Sequence, residues 1–301
     1  MKLKKICALI CATLFINSTA LSAENTENNS PSELKADEID YDMDTEKVEA
    51  SGNVSVRHAE ESQNAESNVP SEVNADNVDY DMKSGVVTAT GNVLLKHGAD
   101  RATGERAMYN INTQESYLIG NVIVVRQDLR LTCNSLQNDG VGHMQADGNV
   151  YCTQTIAPNE KYPNGDTRTF MGEHVDYYPD EKNHFIIPTG GVLTSQSDGN
   201  FSANYIEGWI DDAYYFGTGN VHLVSPPKEI EAGGDRVDYY ANENGKAILS
   251  GNAWAIQKNN TLRGKRLTVY LADEQKEVKL TKTNKTTLPH EDLANTPSKF
   301  N

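Results

Sequence analysis

The sequence predicts an all-β protein, a bent antiparallel β-jellyroll built from about eight stacked hairpin repeats. Three observations carry that expectation: a recurring six-residue phrase, a second phrase that answers it, and Gly-, Asn- and Asp-rich turns between runs of period-two alternation. The first phrase runs small–acidic–any–apolar–any–Tyr, and its copies start at Ala36, Ala75, Gly104, Gly172 and Gly234. Weaker copies start at Cys133, Ala203 and Gly264. The second phrase is Gly-Asn-Val, starting at Gly52, Gly91, Gly120, Gly148 and Gly219, with variants Gly190-Gly191-Val192 and Gly251-Asn252-Ala253. A fixed period marks one supersecondary unit stacked many times, each copy too small to bury its apolar face alone.

Each repeat is expected as strand, turn, strand. Asn74 to Asp81 alternates, Met82-Lys83-Ser84-Gly85 turns, and Val86 to His97 alternates again. Gly234 to Tyr240 and Lys246 to Gln257 repeat the arrangement around Asn242-Glu243-Asn244-Gly245. On the second strand Val87, Ala89, Gly91, Val93 and Leu95 share one face, since side chains two apart point the same way. The first strand breaks phase. Apolar residues sit two before the small residue (Val73) and three after it (Val78), on opposite faces of a flat strand. A bulge or corner at the small residue would restore both to one side, so the strands are expected to fold near their middles around an apolar trough. No segment outside the leader shows a helical stripe.

The organisation follows from the spacing. Residues 1–23 resemble a secretory signal: Lys2, Lys4 and Lys5, then the apolar run Ile6 to Ile16, then Leu21-Ser22-Ala23 for cleavage. Residues 24–152 form a first jellyroll half, 153–169 an inserted loop, 170–281 a second half, and 282–301 a disordered tail. A second polar surplus covers Ala59 to Pro70. Without residues 1–23 the 27 basic residues lose three while the 43 acidic ones remain, a net −19. That charge argues against nucleic acid as a partner. Cys133 and Cys152 would be the two cysteines of the exported chain; a disulfide between them and two free thiols both remain open.

The residue pattern points to binding rather than catalysis. The candidate ligand-lining residues, for apolar chains, are Ile39, Val54, Val56, Val78, Val93, Leu95, Val122, Val124, Val150, Val192, Val221 and Leu223. Such a lining solvates methylenes at about 0.8 kcal/mol each. The acid pairs Asp40/Asp42 and Asp79/Asp81 fit calcium ligands or acid–base carboxylates less well than a solvated face. The histidines are scattered and no Gly-x-Ser-x-Gly elbow occurs, so no catalytic residue, metal or cofactor is expected. Trp209 and Trp254 are expected to cap the core ends. A scaffold that assembles through exposed strand edges, without ligand, is the alternative.

Taken together, the paired phrases, the leader and the hairpin pattern resemble the organic-solvent-tolerance-like (OstA-like) family. Gly234-Asp235-Arg236-Val237-Asp238-Tyr239 through Leu249-Ser250-Gly251-Asn252-Ala253, then Gly264 to Tyr270, carry the likeness best, and it extends over about 34–280. The resemblance implies a periplasmic bent jellyroll whose interior carries the acyl chains of lipopolysaccharide from inner to outer membrane. It implies partners among the inner- and outer-membrane components of that machinery, and head-to-tail self-assembly through terminal strands. About eight repeats stand where the family usually has four.

Overall fold

The structure, a computed structural model, describes residues 32–58, 71–160, 162–242, 245–258, 260–271 and 278–287, the last of these as backbone. The expected signal segment, the surplus at 59–70 and the end of the expected tail, 288–301, lie outside the described residues. As expected, the fold is nearly all antiparallel β. The chain divides into two compact units, one Met1–Gln154 with His174–Asp180, the other Thr155–Glu173 with Glu181–Asn301.

In the first unit the strands follow one another as hairpins: β1 (Ser32–Lys35), β2 (Glu38–Asp42), β3 (Lys47–His58), β4 (Ser71–Asp81), β5 (Val86–His97), β6 (Asp100–Asn110), β7 (Ser116–Arg126), β8 (Leu129–Asn138) and most of β9 (Met144–Ile156). β1 and β2 are two pieces of one bent strand, both paired to β3. Turns close as the composition demands: Asp42 and Asp81 each accept two backbone N–H bonds from the residues that follow them. Those bonds hold both carboxyls below the usual carboxylate range, the bonds from Thr45 and Ser84 leading. The acids are spent on turns.

The corner is built by both phrases together. On β4, Val73 and Ala75 are buried, Asp76 and Asn77 exposed, and Val78 and Tyr80 buried again. On β5, Val87, Ala89, Val93 and Leu95 are all buried. The phase slip is therefore where the spacing puts it, but the extra residue is not. Register jumps from Ser51 to Val54 on β3 while β4 steps only from Asn77 to Ala75. Two residues, Gly52 and Asn53, oppose the one residue Asp76, so the bulge sits on the Gly-Asn strand instead of at the small residue.

Gly91 and Asn92 both take positive φ, +75° and +48°, as do their equivalents in the other Gly-Asn copies. The acid of the preceding strand folds over this turn. Asn92 Nδ2 donates to Asp76 Oδ2 at 2.9 Å, Asn53 to Asp37 at 2.9 Å, Asn121 to Glu105 at 2.8 Å and Asn252 to Asp235 at 2.9 Å. A Cβ on Gly91 would collide with the Asp76 carboxylate. Small–acidic and Gly-Asn are two halves of one lock.

The second unit contains most of β10 (Asp166–Tyr178), then β11 (His184–Ile187), β12 (Gly191–Ser195), β13 (Gly199–Ala203), β14 (Tyr205–Trp209), β15 (Tyr214–Ser225), β16 (Ile230–Tyr240), β17 (Lys246–Gln257), β18 (Asn260–Tyr270) and β19 (Val278–Thr287). Several expectations change here. Residues 282–287 of the expected tail belong to β19 and pair with β18, because its backbone hydrogen-bonds an otherwise open strand. The inserted loop shrinks to 157–165, since β9 and β10 extend into both of its ends. Trp209 does not cap the core. It stands in a row of directly opposed residues, His184, Trp209, Tyr214, Tyr240 and Lys246, whose neighbours Phe185, Tyr215, Tyr239 and Ala247 take the other face. Ring centroids along the row are 4.6, 5.6 and 5.0 Å apart, and Lys246 Nζ lies 5.3 Å from the Tyr240 ring.

Cys133 and Cys152 are free thiols, both pushed up to about 12 by burial. Cys152 pairs across from Leu131, two residues out of step with Cys133.

Candidate functional site

Folding each strand at its lock turns both of its apolar segments inward, and the stacked repeats build an apolar interior in each unit. In the first unit Val54, Val56, Val78, Val93, Leu95, Val122, Val124 and Val150 are buried in one continuous cluster with Ala50, Val73, Ala89, Ala107, Leu118 and Leu136. Val221 and Leu223 are buried in the second unit. Two of the expected lining residues depart. Ile39 is 48% exposed, because all five residues of β2 are exposed on the strand that opens this interior. Val192 is only half-buried, and Leu193 takes the inner place, opposite Phe170 and Phe201. The cause is local. At the Gly190-Gly191 variant only Gly190 has positive φ, so the lock's phase change is missing and the inward parity moves by one residue.

The two interiors differ. In the first unit a gap of about 20 Å³ is bordered by Leu34, Val48, Ala50, Val56, Val78, Tyr80 and Val87, room for one water-sized body. In this state its own side chains fill it. The second unit has a half-open cavity of about 190 Å³ among Phe170, Leu193, Phe201, Tyr215, Leu223, Val237 and Tyr239. An apolar cavity of about 150 Å³ takes a benzene-sized ligand, so this one accepts on the order of six carbons.

Polar groups converge on that cavity. Tyr162, from the loop before β10, is 8% exposed, and Arg168 Nη2 donates to its hydroxyl oxygen at 2.8 Å. Arg168 Nε donates to Asp166 Oδ2 at 3.3 Å, and the same carboxylate accepts from Ser195 Oγ and the Ser197 N–H. Burial pushes the Asp166 carboxyl up, but these bonds outweigh it and hold the group below its ordinary value. Tyr215 and Tyr239 are shifted upward, chiefly by burial, so both phenols stay protonated donors. Asp198 also borders the cavity. Sequence reasoning missed this cluster. One signal was available: the tyrosine ending each first phrase lies two beyond the inward apolar residue, hence on the inward face.

Residues 72–214 match the family described as LptA/(LptD N-terminal domain) LPS transport protein. That segment, just under half of the chain, is what is similar to an LptA-like domain. The LptA-like match begins in β4 and ends at the first residue of β15, while the lock of Asp235 with Gly251 and Asn252 repeats its corner outside the matched segment. A solved structure with similarity is that of LptH, the LptA homologous periplasmic component of the conserved lipopolysaccharide transport device from Pseudomonas aeruginosa. It is 13% identical, covering 63% of this chain and 88% of that one, with a TM-score of 0.23. No curated protein matches. Among the described residues no helix is long and apolar enough to cross a membrane.

Proposed function

We propose that the chain is an exported periplasmic protein of lipopolysaccharide transport. It shields the acyl chains of the lipid between inner-membrane and outer-membrane components of that machinery, with no catalytic step. The observation that carries this reading is the inward rows of valine and leucine along both halves of each locked hairpin, in a chain whose residues 72–214 are similar to an LptA-like domain. Loading requires the trough to open, since the first unit is filled by its own side chains at rest. Every buried methylene of the cargo then returns about 0.8 kcal/mol, spread evenly enough for the lipid to slide. A photo-crosslinking residue at Val93 or Val122 is expected to form lipopolysaccharide adducts in cells, whereas one at exposed Asn92 is not. Absence of adducts at every inward position sinks the reading.

The exposed Ile39, Tyr41 and Met43 on and beside β2 favour a second reading, end-to-end assembly as a scaffold. Concentration-dependent oligomers that carry no lipid would distinguish it.

A further inference from the structure

The interiors of the two units are chemically unlike at one point. The charged residues that are buried among the described ones, Asp166, Lys228 and the ionisable His184, all belong to the second unit, and of these Asp166 holds Arg168 beside its cavity. A surface over which lipid chains only slide gains nothing from a guanidinium drawn partly out of water, about a quarter exposed, because its desolvation is a cost. Such groups are usual where an apolar pocket orients a ligand by a few convergent polar atoms. Two of the five Arg168 N–H donors are engaged, by Asp166 and by Tyr162. The remainder, with the Tyr215 and Tyr239 phenols, make the cavity wall rich in donors. The formal charges of Arg168, Asp166 and Asp198 leave the neighbourhood acidic by one unit, which disfavours an anion and suits a neutral acceptor.

We propose that this cavity is a dedicated seat for the carbonyl end of one acyl chain, an ester or amide rather than a free carboxylate. The carbonyl oxygen accepts from Arg168 or a tyrosine hydroxyl, and about six carbons lie between Phe170, Leu193 and Phe201. The proposal takes from the transport reading only the expectation of an acyl ligand. The seat itself is assigned from the cavity and its donors.

Methyl hexanoate, hexanoate and hexane, titrated against the full chain by ligand-detected NMR, test it. The ester is expected to bind one per chain, about fivefold or more tighter than hexane, which offers no acceptor. It should also bind tighter than hexanoate at neutral pH. Leu193→Trp, which fills the cavity and leaves the ion pair intact, should abolish binding. Tyr215→Phe and Arg168→Lys should weaken it severalfold, with far-UV circular dichroism confirming the fold. Equal binding of hexane and ester, or tighter binding of hexanoate, overturns the carbonyl assignment. Unchanged affinity in Leu193→Trp overturns the location. Displacement of the ester by lipopolysaccharide would identify a lipid's own acyl ester as the occupant, and ester binding without displacement would identify a small free ester; both support the seat. Failure of the transport reading is separately visible, as missing trough adducts alongside intact ester binding.

Discussion

The first unit and the second share a corner and differ in what they place inside it. Both fold their strands at a Gly-Asn pair with positive φ. In the first unit acids hold the pair at Gly52, Gly91 and Gly120, and the interior is a packed cluster, mostly aliphatic, with Tyr80 and Tyr109. In the second, the lock is broken at Gly190, weakened to Asn204 against Asn220 at 3.4 Å, and restored at Asp235. Its interior adds a group of aromatic rings to aliphatic residues, with Phe170 edge-on to Phe185 at 5.1 Å and Tyr215 beside Tyr239 at 6.0 Å, and it keeps a cavity. The contrast teaches that the repeat specifies a bend, whereas the residues facing inward decide whether the bend encloses a core or a pocket.

The largest expected effect breaks the comparison at its centre. Leu118→Ala, at a fully buried position of the first unit, should cost about 2–5 kcal/mol in urea unfolding. Leu193→Ala borders space that is already empty and should cost clearly less. Equal losses would show that both interiors are packed alike. Next comes the lock. Gly91→Ala forces a Cβ into the left-handed region and against Asp76, an expected loss of about 1–3 kcal/mol in the same assay. The smaller companion is Asn204→Ala, which removes a long bond between neutral partners without touching a positive-φ residue and should cost only tenths of a kcal/mol.

The smallest effect is a pH dependence confined to the first unit. His174 Nε2 lies 3.0 Å from Asp176 Oδ2, while its Nδ1 bonds Asp147. The Asp147 bond, opposed by burial and aided by the charge of Asp176, raises the histidine above 6.5. Burial pushes Asp176 up, but bonds from Gln145, His143 and His174 outweigh it and hold the carboxyl below 3.8. The raised histidine adds stability in full below its unfolded value and loses it as pH climbs through the folded one. The depressed carboxyl adds stability above its unfolded value and loses it as pH falls through the folded one. Stability from the pair should therefore peak between about pH 4 and 6.5. His174→Gln should flatten that peak in melting temperature against pH; an unchanged profile would remove the pair from the account.

Much of this was legible in the chain itself. Alternation on β5 identifies Val87, Ala89, Val93 and Leu95 as one face, and the phase slip on β4 requires a corner, because side-chain direction follows from residue parity. Parity is a local property, so it transmits through any strand without knowledge of its partner. It failed at Val192 for the same reason: the phase depends on whether two residues or one adopt positive φ, which the Gly190-Gly191 spelling does not declare. Alone, then, the sequence determined the class, the repeat and the inward rows. Only the tertiary structure decided that Asp76 closes over Gly91, that Trp209 joins an outer row, and that Tyr162 and Arg168 meet Tyr215 and Tyr239 at one cavity. These contacts join residues far apart in the chain, and their geometry is set by strand register and by the volume left after packing.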